Sequence, residues 1–150
     1  MSAVLVHATA VAIDGGAVLL RGPPDAGKSD LALRLIEGGA KLVADDQTEL
    51  RRSGERVLAR APASIAGLIE VRGLGIVEVP AIAEAPLALI VDLVAPELIE
   101  RLPERRFEAI LGVVLPVIAL AAFEASTPAK VRLARREFAA GSPQAILGAC

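Results

Sequence analysis

The sequence predicts an α/β fold, with one domain over 1–150 built on a mixed sheet with antiparallel hairpins and flanking helices. The length of 150 residues suits a single domain that buries a sizeable core. Short runs of Val, Ile, Leu and Ala alternate with segments whose apolar residues recur at helical spacing. Turn signals such as Asp14-Gly15-Gly16 separate neighbouring apolar runs, as they do in β-hairpins.

The predicted strands are apolar runs bounded by glycine, proline or charged turn residues. They cover 4–13, 17–20, 42–44, 48–52, 56–60, 68–79, 87–94 and 113–120, with Gly73-Leu74-Gly75 interrupting 68–79. The first predicted helix covers 30–37, whose apolar positions share one face before Gly38-Gly39. A helical turn over 96–102 starts at a proline, and 128–140 predicts a basic amphipathic helix that ends at Gly141.

The composition argues against nucleic-acid and membrane partners. Trp and Tyr are absent, and three Phe make a poor platform for stacking nucleic-acid bases. A net charge of −2 provides no basic field for nucleic acid or anionic lipid. The longest apolar run, 111–123, contains Pro116 and is too short to span a bilayer, so it predicts a buried strand region.

The cysteine content and the first residues favour a cytoplasmic protein. The single cysteine, Cys150, forms no internal disulfide, and no Cys/His cluster is present to bind zinc. Segment 1–16 lacks the basic region and the unbroken apolar region of a signal peptide.

One motif carries clear chemistry. Residues 22–29 match the phosphate-binding pattern G-x-x-x-x-G-K-[ST], with a predicted strand before it and a predicted helix after it. Backbone N–H groups of such a loop and the helix N-terminus surround a phosphate, the lysine contacts the β- and γ-phosphates, and the hydroxyl ligates Mg²⁺. We therefore predict nucleotide binding by these residues: Gly22, Pro23, Pro24, Asp25, Ala26, Gly27, Lys28 and Ser29.

Phosphoryl transfer also needs a base and a metal ligand, and two strand ends offer carboxylates. Asp45-Asp46 follows the strand 42–44, and Asp92 ends the strand 87–94, where many P-loop enzymes carry a Mg²⁺-binding aspartate. The residues alone do not choose between them, because Asp is also common at turns. The one histidine, His7, lies in a predicted strand, where a lone histidine is more often structural than catalytic. The segment 70–75 places opposite charges on either side of a glycine bend, where glycine suggests a close backbone approach or an ordinary turn.

Together these motifs resemble the catalytic domain of HPr kinase/phosphorylase over nearly the whole chain. The phosphate-binding loop is generic, whereas Leu42-Val43-Ala44-Asp45-Asp46 resembles the more specific L-[VI]-A-D-D of that family. Residues 70–77 resemble its signature E-[IV]-R-G-L-G-I-[IV], and Glu100-Arg101-Leu102 is similar to a later D/E-R-L. His7 corresponds to a family histidine about twenty residues before the loop.

The resemblance implies an ATP- and Mg²⁺-dependent serine kinase of the phosphocarrier HPr, which also removes the phosphate by phosphorolysis and assembles as a homo-oligomer, a hexamer. It implies that Asp45 is the base, with His7 beside it, and that Arg101 is a further catalytic residue. It implies that Lys28 holds phosphates and that Ser29 and Glu70 hold Mg²⁺. The supporting signature positions are Asp46, Arg72, Gly73 and Gly75.

Two departures from the family pattern qualify this expectation. The chain resembles a short form that consists of the catalytic domain alone. The family's P-V-x-P-G-R-N loop, important for dephosphorylation, is replaced after the strand 113–120 by residues 121–127, with Glu124 in place of a basic group. We therefore expect weak phosphorylase activity. A kinase of another protein or small molecule, and a nucleotide-binding regulatory protein, remain alternatives.

The basic helix over 128–140 raises a separate expectation. Its cations, Lys130, Arg132, Arg135 and Arg136, stand out in a chain of net charge −2. They predict either contact with a protein partner or neighbouring subunit, or a solvated helix face.

Overall fold

The structure, a computed structural model, describes residues 3–138. Within them the chain forms two helices, α1 (Lys28–Glu37) and α2 (Thr127–Phe138). The described strands are β1 (Ala3–Val6), β2 (Thr9–Ile13), β3 (Gly16–Arg21), β4 (Lys41–Ala44), β5 (Thr48–Ser53), β6 (Arg56–Arg60), β7 (Leu68–Val71), β8 (Gly75–Glu78), β9 (Glu84–Leu93), β10 (Arg106–Ile110) and β11 (Val113–Leu120). No helix among these residues is long and apolar enough to cross a membrane.

The large sheet is mixed, as predicted, with the order β1-β5-β6-β9-β3-β2-β4. It branches at β9, which pairs with β6 through 84–86 and with β11 through 90–93. Strands β7 and β8 form a separate antiparallel hairpin.

Four strands of the large sheet end at the same edge. Strands β11, β9 and β3 pair in parallel, and the antiparallel β2 separates β3 from β4, so β4 also runs in the direction of β3. The loops that follow β4, β3 and β11 therefore emerge side by side, with the loop after β3 in the middle. Ligands of open α/β sheets bind at such a carboxyl edge.

Two apolar clusters cover the two faces of the sheet. On one face, Leu31 and Leu35 of α1 and Val131 of α2 pack over β2, β3 and β9. On the other face, residues of β2, β3 and β9 pack against Leu50 and Val57, so the curled sheet covers itself. Each fully buried Leu or Val contributes about 1.5–3 kcal/mol, and this packing fixes the edge that carries the loops.

The structure corrects two of the predicted elements and adds a strand. The strand predicted over 4–13 is divided at 7–8, because β1 pairs with β5 whereas β2 pairs with β3 and β4. The helical turn predicted over 96–102 is reduced to a short 3₁₀ turn at Pro96–Leu98. Strand β10 was not predicted; its charged residues alternate along an edge that pairs only with β11.

The other predicted elements are confirmed with shifts of at most three residues. The predicted basic helix corresponds to α2, although its last two predicted residues, 139 and 140, lie outside the described residues.

Candidate functional site

The predicted phosphate-binding loop connects β3 to α1 at the carboxyl edge. Its turn is closed by the N–H of Ala26, which donates to the carbonyl of Pro23 at 3.1 Å. The first helical hydrogen bond of α1 runs from the N–H of Leu31 to the carbonyl of Gly27. The preceding N–H groups at the start of α1 have no helical acceptor, so this end of the helix is suited to bind an anion.

Two glycines of the loop are required by close packing. A Cβ atom at Gly22 would lie 2.9 Å from Cβ of Ala26, and one at Gly27 would lie 2.8 Å from Cζ of Phe123. Gly27 also has φ of +99°, which L side chains rarely adopt. The spacing of the motif therefore reflects steric constraints at both ends of the loop.

Lys28, the first residue of α1, folds back over the loop. Its ammonium Nζ donates to the carbonyl of Gly22 at 2.7 Å and to that of Pro23 at 3.1 Å. The positive charge is thereby held across the loop, beside the free N–H groups of the helix.

Asp45 lies at the end of β4 and is 7% exposed. Its Oδ1 accepts hydrogen bonds from the hydroxyls of Ser29, at 2.6 Å, and Thr9, at 3.2 Å. Its Oδ2 accepts one from the backbone N–H of Glu70 at 3.0 Å. This carboxylate joins the phosphate-binding loop to the β7–β8 hairpin, and its ionised form, which only accepts hydrogen bonds, satisfies all three donors.

Thr9 was missed by the sequence analysis. It is fully buried, and its hydroxyl both donates to Asp45 and accepts from the N–H of Asp46 at 3.0 Å. A polar residue at the start of an otherwise apolar strand was the only signal available.

Asp46 has an unusual backbone. Its φ is +69°, and the N–H of Gln47 donates to the carbonyl of Asp45 at 2.8 Å, which closes a three-residue turn around it. Strained non-glycine residues of this kind cluster at functional sites. The turn places Asp46 next to Asp45, on one wall of a cleft in front of the loop.

The β7–β8 hairpin forms the facing wall. Glu70 and Arg72 both line the cleft, and Nη2 of Arg72 lies 2.9 Å from Oδ1 of Asp25 in the phosphate-binding loop. Gly73 and Gly75 have φ of +94° and +97° with open space where a Cβ would stand. Their role is therefore the turn itself, and the close backbone approach that the sequence suggested is not found.

The cleft between these walls encloses about 450 Å³. Two cationic side chains, Lys28 and Arg72, line it against five carboxylates. The whole lining is Pro24, Asp25, Gly27, Lys28, Ser29, Asp30, Leu33, Asp45, Asp46, Glu70, Val71, Arg72 and Phe123. A polyphosphate in so acidic a cleft would require divalent cations to offset the repulsion.

The oxygen donors of the cleft suit Mg²⁺. The hydroxyl of Ser29 and the backbone N–H of Glu70 both donate to Asp45, so these three residues are neighbours. Hydroxyl and carboxylate oxygens are ligands that Mg²⁺ prefers. Within residues 3–138 no group of three His, Cys, Asp or Glu side chains is close enough to hold a metal alone. That arrangement fits a metal whose remaining positions are filled by water and substrate phosphates.

Asp92 lies outside this cleft. Arg21 donates to Asp92 through Nε at 2.8 Å and to Glu108 through Nη1 at 2.7 Å. Hydrogen bonds to Glu108 and then to Asp92 raise the pKa of Arg21, and the hydrogen bond from Arg21 lowers the pKa of Glu108. Asp92 therefore anchors the strand end that leads into the loop, and of the two candidate carboxylates only Asp45 lines the cleft.

His7 and Arg101 are not brought to this cleft. Both are exposed and absent from its lining, and His7 lies between β1 and β2, two residues before Thr9. The roles that the resemblance implies for them stay predictions.

The segment 121–126 differs from the expectation in one respect. The side chain of Glu124 points to Lys130, with 3.3 Å between Oε1 and Nζ, and does not line the cleft. Phe123 lines the cleft instead.

The basic helix α2 uses most of its cations within the chain. Arg132 donates to the carbonyl of Leu35 at the end of α1, and Arg135 donates to the carbonyl of Ile13 at 3.0 Å. Lys130 pairs with Glu124. These contacts brace the helix against the domain. Arg136, the fourth cation of the helix, is exposed.

The fold and the cleft define a mixed α/β domain with a predicted phosphate-binding loop at the carboxyl edge of its sheet. A profile described as "HPr Serine kinase C-terminal domain" matches residues 1–131, and the chain belongs to this family. The solved structure of the HPr(Ser) kinase/phosphatase from Coxiella burnetii superposes with a TM-score of 0.79 at 30% identity, covering 88% of this chain and 93% of that one.

Curated relatives agree with this assignment. HPr kinase/phosphorylase of Exiguobacterium sp. is 44% identical over 75 residues, and that of Halalkalibacterium halodurans is 48% identical over 75 residues. Each alignment covers 49% of this chain but only 24% of the relative, so the chain spans about a quarter of the length of the curated relatives it matches.

Proposed function

We propose that this chain is an ATP- and Mg²⁺-dependent kinase that phosphorylates a serine of the phosphocarrier HPr. One observation carries the proposal: the carboxylate of Asp45 accepts a hydrogen bond from the hydroxyl of Ser29 at 2.6 Å, which supports its role as a base beside the predicted phosphate-binding loop. The family assignment, together with the names of the matching proteins, supports HPr as the acceptor.

The proposed chemistry assigns a task to each side chain. Asp45 takes the proton of the acceptor hydroxyl while that oxygen bonds to the γ-phosphorus and the bond to the β-phosphate oxygen breaks. Lys28 and the first N–H groups of α1 stabilise the charge on the transferred group. Ser29 and Glu70 would hold Mg²⁺, which when bound neutralises phosphate charge.

Other residues of the site act by holding the reacting groups in place. Thr9 and the N–H of Glu70 fix the carboxylate of Asp45, and the strained turn holds Asp46 at the cleft wall. Arg72 brings a second positive charge to the phosphate site from the hairpin. A homo-oligomer, a hexamer by family resemblance, is part of the same proposal.

We expect the kinase reaction to exceed phosphorolysis. Phosphorolysis must bring inorganic phosphate against a phosphoserine, which requires positive charge or N–H donors to offset their repulsion. The glycine and arginine of the family loop are absent, and its place at the cleft is taken by the apolar ring of Phe123. Glu124 pairs with Lys130, so its carboxylate is not the cause of repulsion of inorganic phosphate. The weak phosphorolysis is expected because the positive charge and N–H donors of the family loop are missing.

The test is incubation with γ-labelled ATP, Mg²⁺ and purified HPr, followed by the same incubation with a bacterial lysate. Transfer of label to HPr supports the proposal. Transfer only to another lysate component would assign a different acceptor, and nucleotide binding without transfer would indicate a regulatory protein.

A further inference from the structure

Phe123 has no evident role in the core. Its side chain is 68% exposed, it lines the cleft, and it is the aromatic residue of that lining. Ligand pockets combine aromatic and apolar side chains with a few polar groups, so an exposed aromatic side chain in a polar cleft is suited to contact a ligand.

We propose that Phe123 is the platform against which the nucleoside part of the bound nucleotide packs. This inference rests on the proposed nucleotide-dependent function and adds to it a subsite for the base and ribose. The ligand class is a nucleoside triphosphate, as opposed to an inorganic polyphosphate that fills the phosphate loop alone.

The topology separates Phe123 from the proposed base. Asp45 follows β4 and Phe123 follows β11, and the loop after β3 lies between them in the order β4-β2-β3-β9-β11. The ring of Phe123 reaches over to the loop, close to Gly27.

The chemistry requires that separation. In phosphoryl transfer the attacking and the leaving oxygens lie roughly in line on opposite sides of the phosphorus. An acceptor hydroxyl activated by Asp45 therefore approaches from the β4 side, and the leaving diphosphate with its nucleoside extends toward the β11 side. Phe123 stands on that side.

The segment that carries Phe123 is held before any ligand binds. Arg34 of α1 donates to the carbonyls of Ala122 and, at 3.4 Å, Glu124, and the hydroxyl of Thr127 donates to the carbonyl of Ala121. Because its backbone is fixed on both sides, the ring is a preorganised surface that binds with little loss of conformational entropy.

The first test compares ATP with inorganic tripolyphosphate by titration calorimetry, with Mg²⁺ in both. Phe123→Ala should weaken ATP binding by about fivefold or more, as loss of one base–aromatic contact does, and leave tripolyphosphate binding unchanged. Phe107→Ala is the matched control, since Phe107 is also exposed, at 41%, but lies on β10 outside the cleft lining.

A second variant gives an independent readout. The chain has no Trp, so Phe123→Trp would carry the sole indole, and its fluorescence should change with ATP but not with tripolyphosphate.

The outcomes separate the two proposals. Equal affinities of wild type and Phe123→Ala for ATP, an equal loss for both ligands, or an indole that does not respond to ATP would each overturn the subsite. If wild type bound neither ligand, the proposed nucleotide-dependent function would itself fail.

Discussion

Replacement of Asp45 by Asn tests the proposed base while keeping the shape of the site. The structure indicates how the amide would fit: its oxygen accepts from the N–H of Glu70, and its NH₂ group donates to the hydroxyl oxygens of Ser29 and Thr9, which can rotate to accept. The buried hydroxyl of Thr9, which also accepts from the N–H of Asp46, then has no acceptor for its own proton.

The stability cost of this substitution combines the exchange of charge-assisted hydrogen bonds for neutral ones with the loss of the acceptor of the Thr9 hydroxyl, about 1–3 kcal/mol. A domain of this length loses about 2–4 °C in Tm for each kcal/mol, so the variant should remain folded at 25 °C. Loss of a general base should lower the transfer rate by about 10²- to 10⁴-fold while nucleotide binding persists.

The assay is the initial rate of label transfer from ATP to HPr, with Tm and nucleotide affinity measured on the same preparations. Asp92→Asn is the matched control, because it also breaks a partly buried contact, with Arg21, away from the cleft. Retention of more than a tenth of the wild-type rate by Asp45→Asn, or an equal loss in Asp92→Asn, would refute the reasoning.

Three further predictions concern the loop and the ion cluster. Lys28→Ala should reduce transfer by a hundredfold or more with little change in Tm, because its ammonium contacts only loop carbonyls; a residual rate above a tenth would contradict the loop assignment. Gly27→Ala should lower both Tm and nucleotide affinity, since its Cβ would clash with Phe123, and an unchanged melting curve would show that the ring of Phe123 does not constrain this position. The hydrogen bond from Arg21 lowers the pKa of Glu108 below its ordinary 4.5, so its stabilising contribution is present above that pH and is lost as the pH falls. Between about pH 6 and pH 3, the free energy of unfolding, measured by urea titration, should therefore fall less in Glu108→Gln than in wild type. An equal fall in both proteins would argue that the Arg21–Glu108 pair contributes nothing.

The sequence was sufficient to predict a phosphate-binding loop because the whole motif lies within eight consecutive residues. Its flanking strand and helix also followed from local patterns, and Asp45 could be proposed because it ends an apolar strand. The sequence does not distinguish Asp45 from Asp92, since both stand at the ends of strands of the same direction. The structure favours Asp45, because Asp45 lines the cleft whereas Asp92 lies outside it and pairs with Arg21.

Other features depend on contacts between residues far apart in the chain. Thr9 reaches Asp45 because β2 lies beside β4, a pairing that no local pattern specifies. Strand β10 forms because β11 offers it an edge, although Glu108 and Ala109 are of residue types depleted in strands. The cations of α2 suggested a partner surface by composition, whereas Arg132 and Arg135 are used on carbonyls of the same domain.

The most direct test of the account is to identify the phosphorylated residue after HPr is incubated with the protein, ATP and Mg²⁺. Phosphopeptide mapping by mass spectrometry, with wild type and Asp45→Asn side by side, reports acceptor, residue and base in one experiment. The account predicts phosphate on a serine of HPr, formed by wild type and lost with Asp45→Asn. Phosphate on another residue type, or HPr left unmodified by a protein that binds ATP, would contradict it.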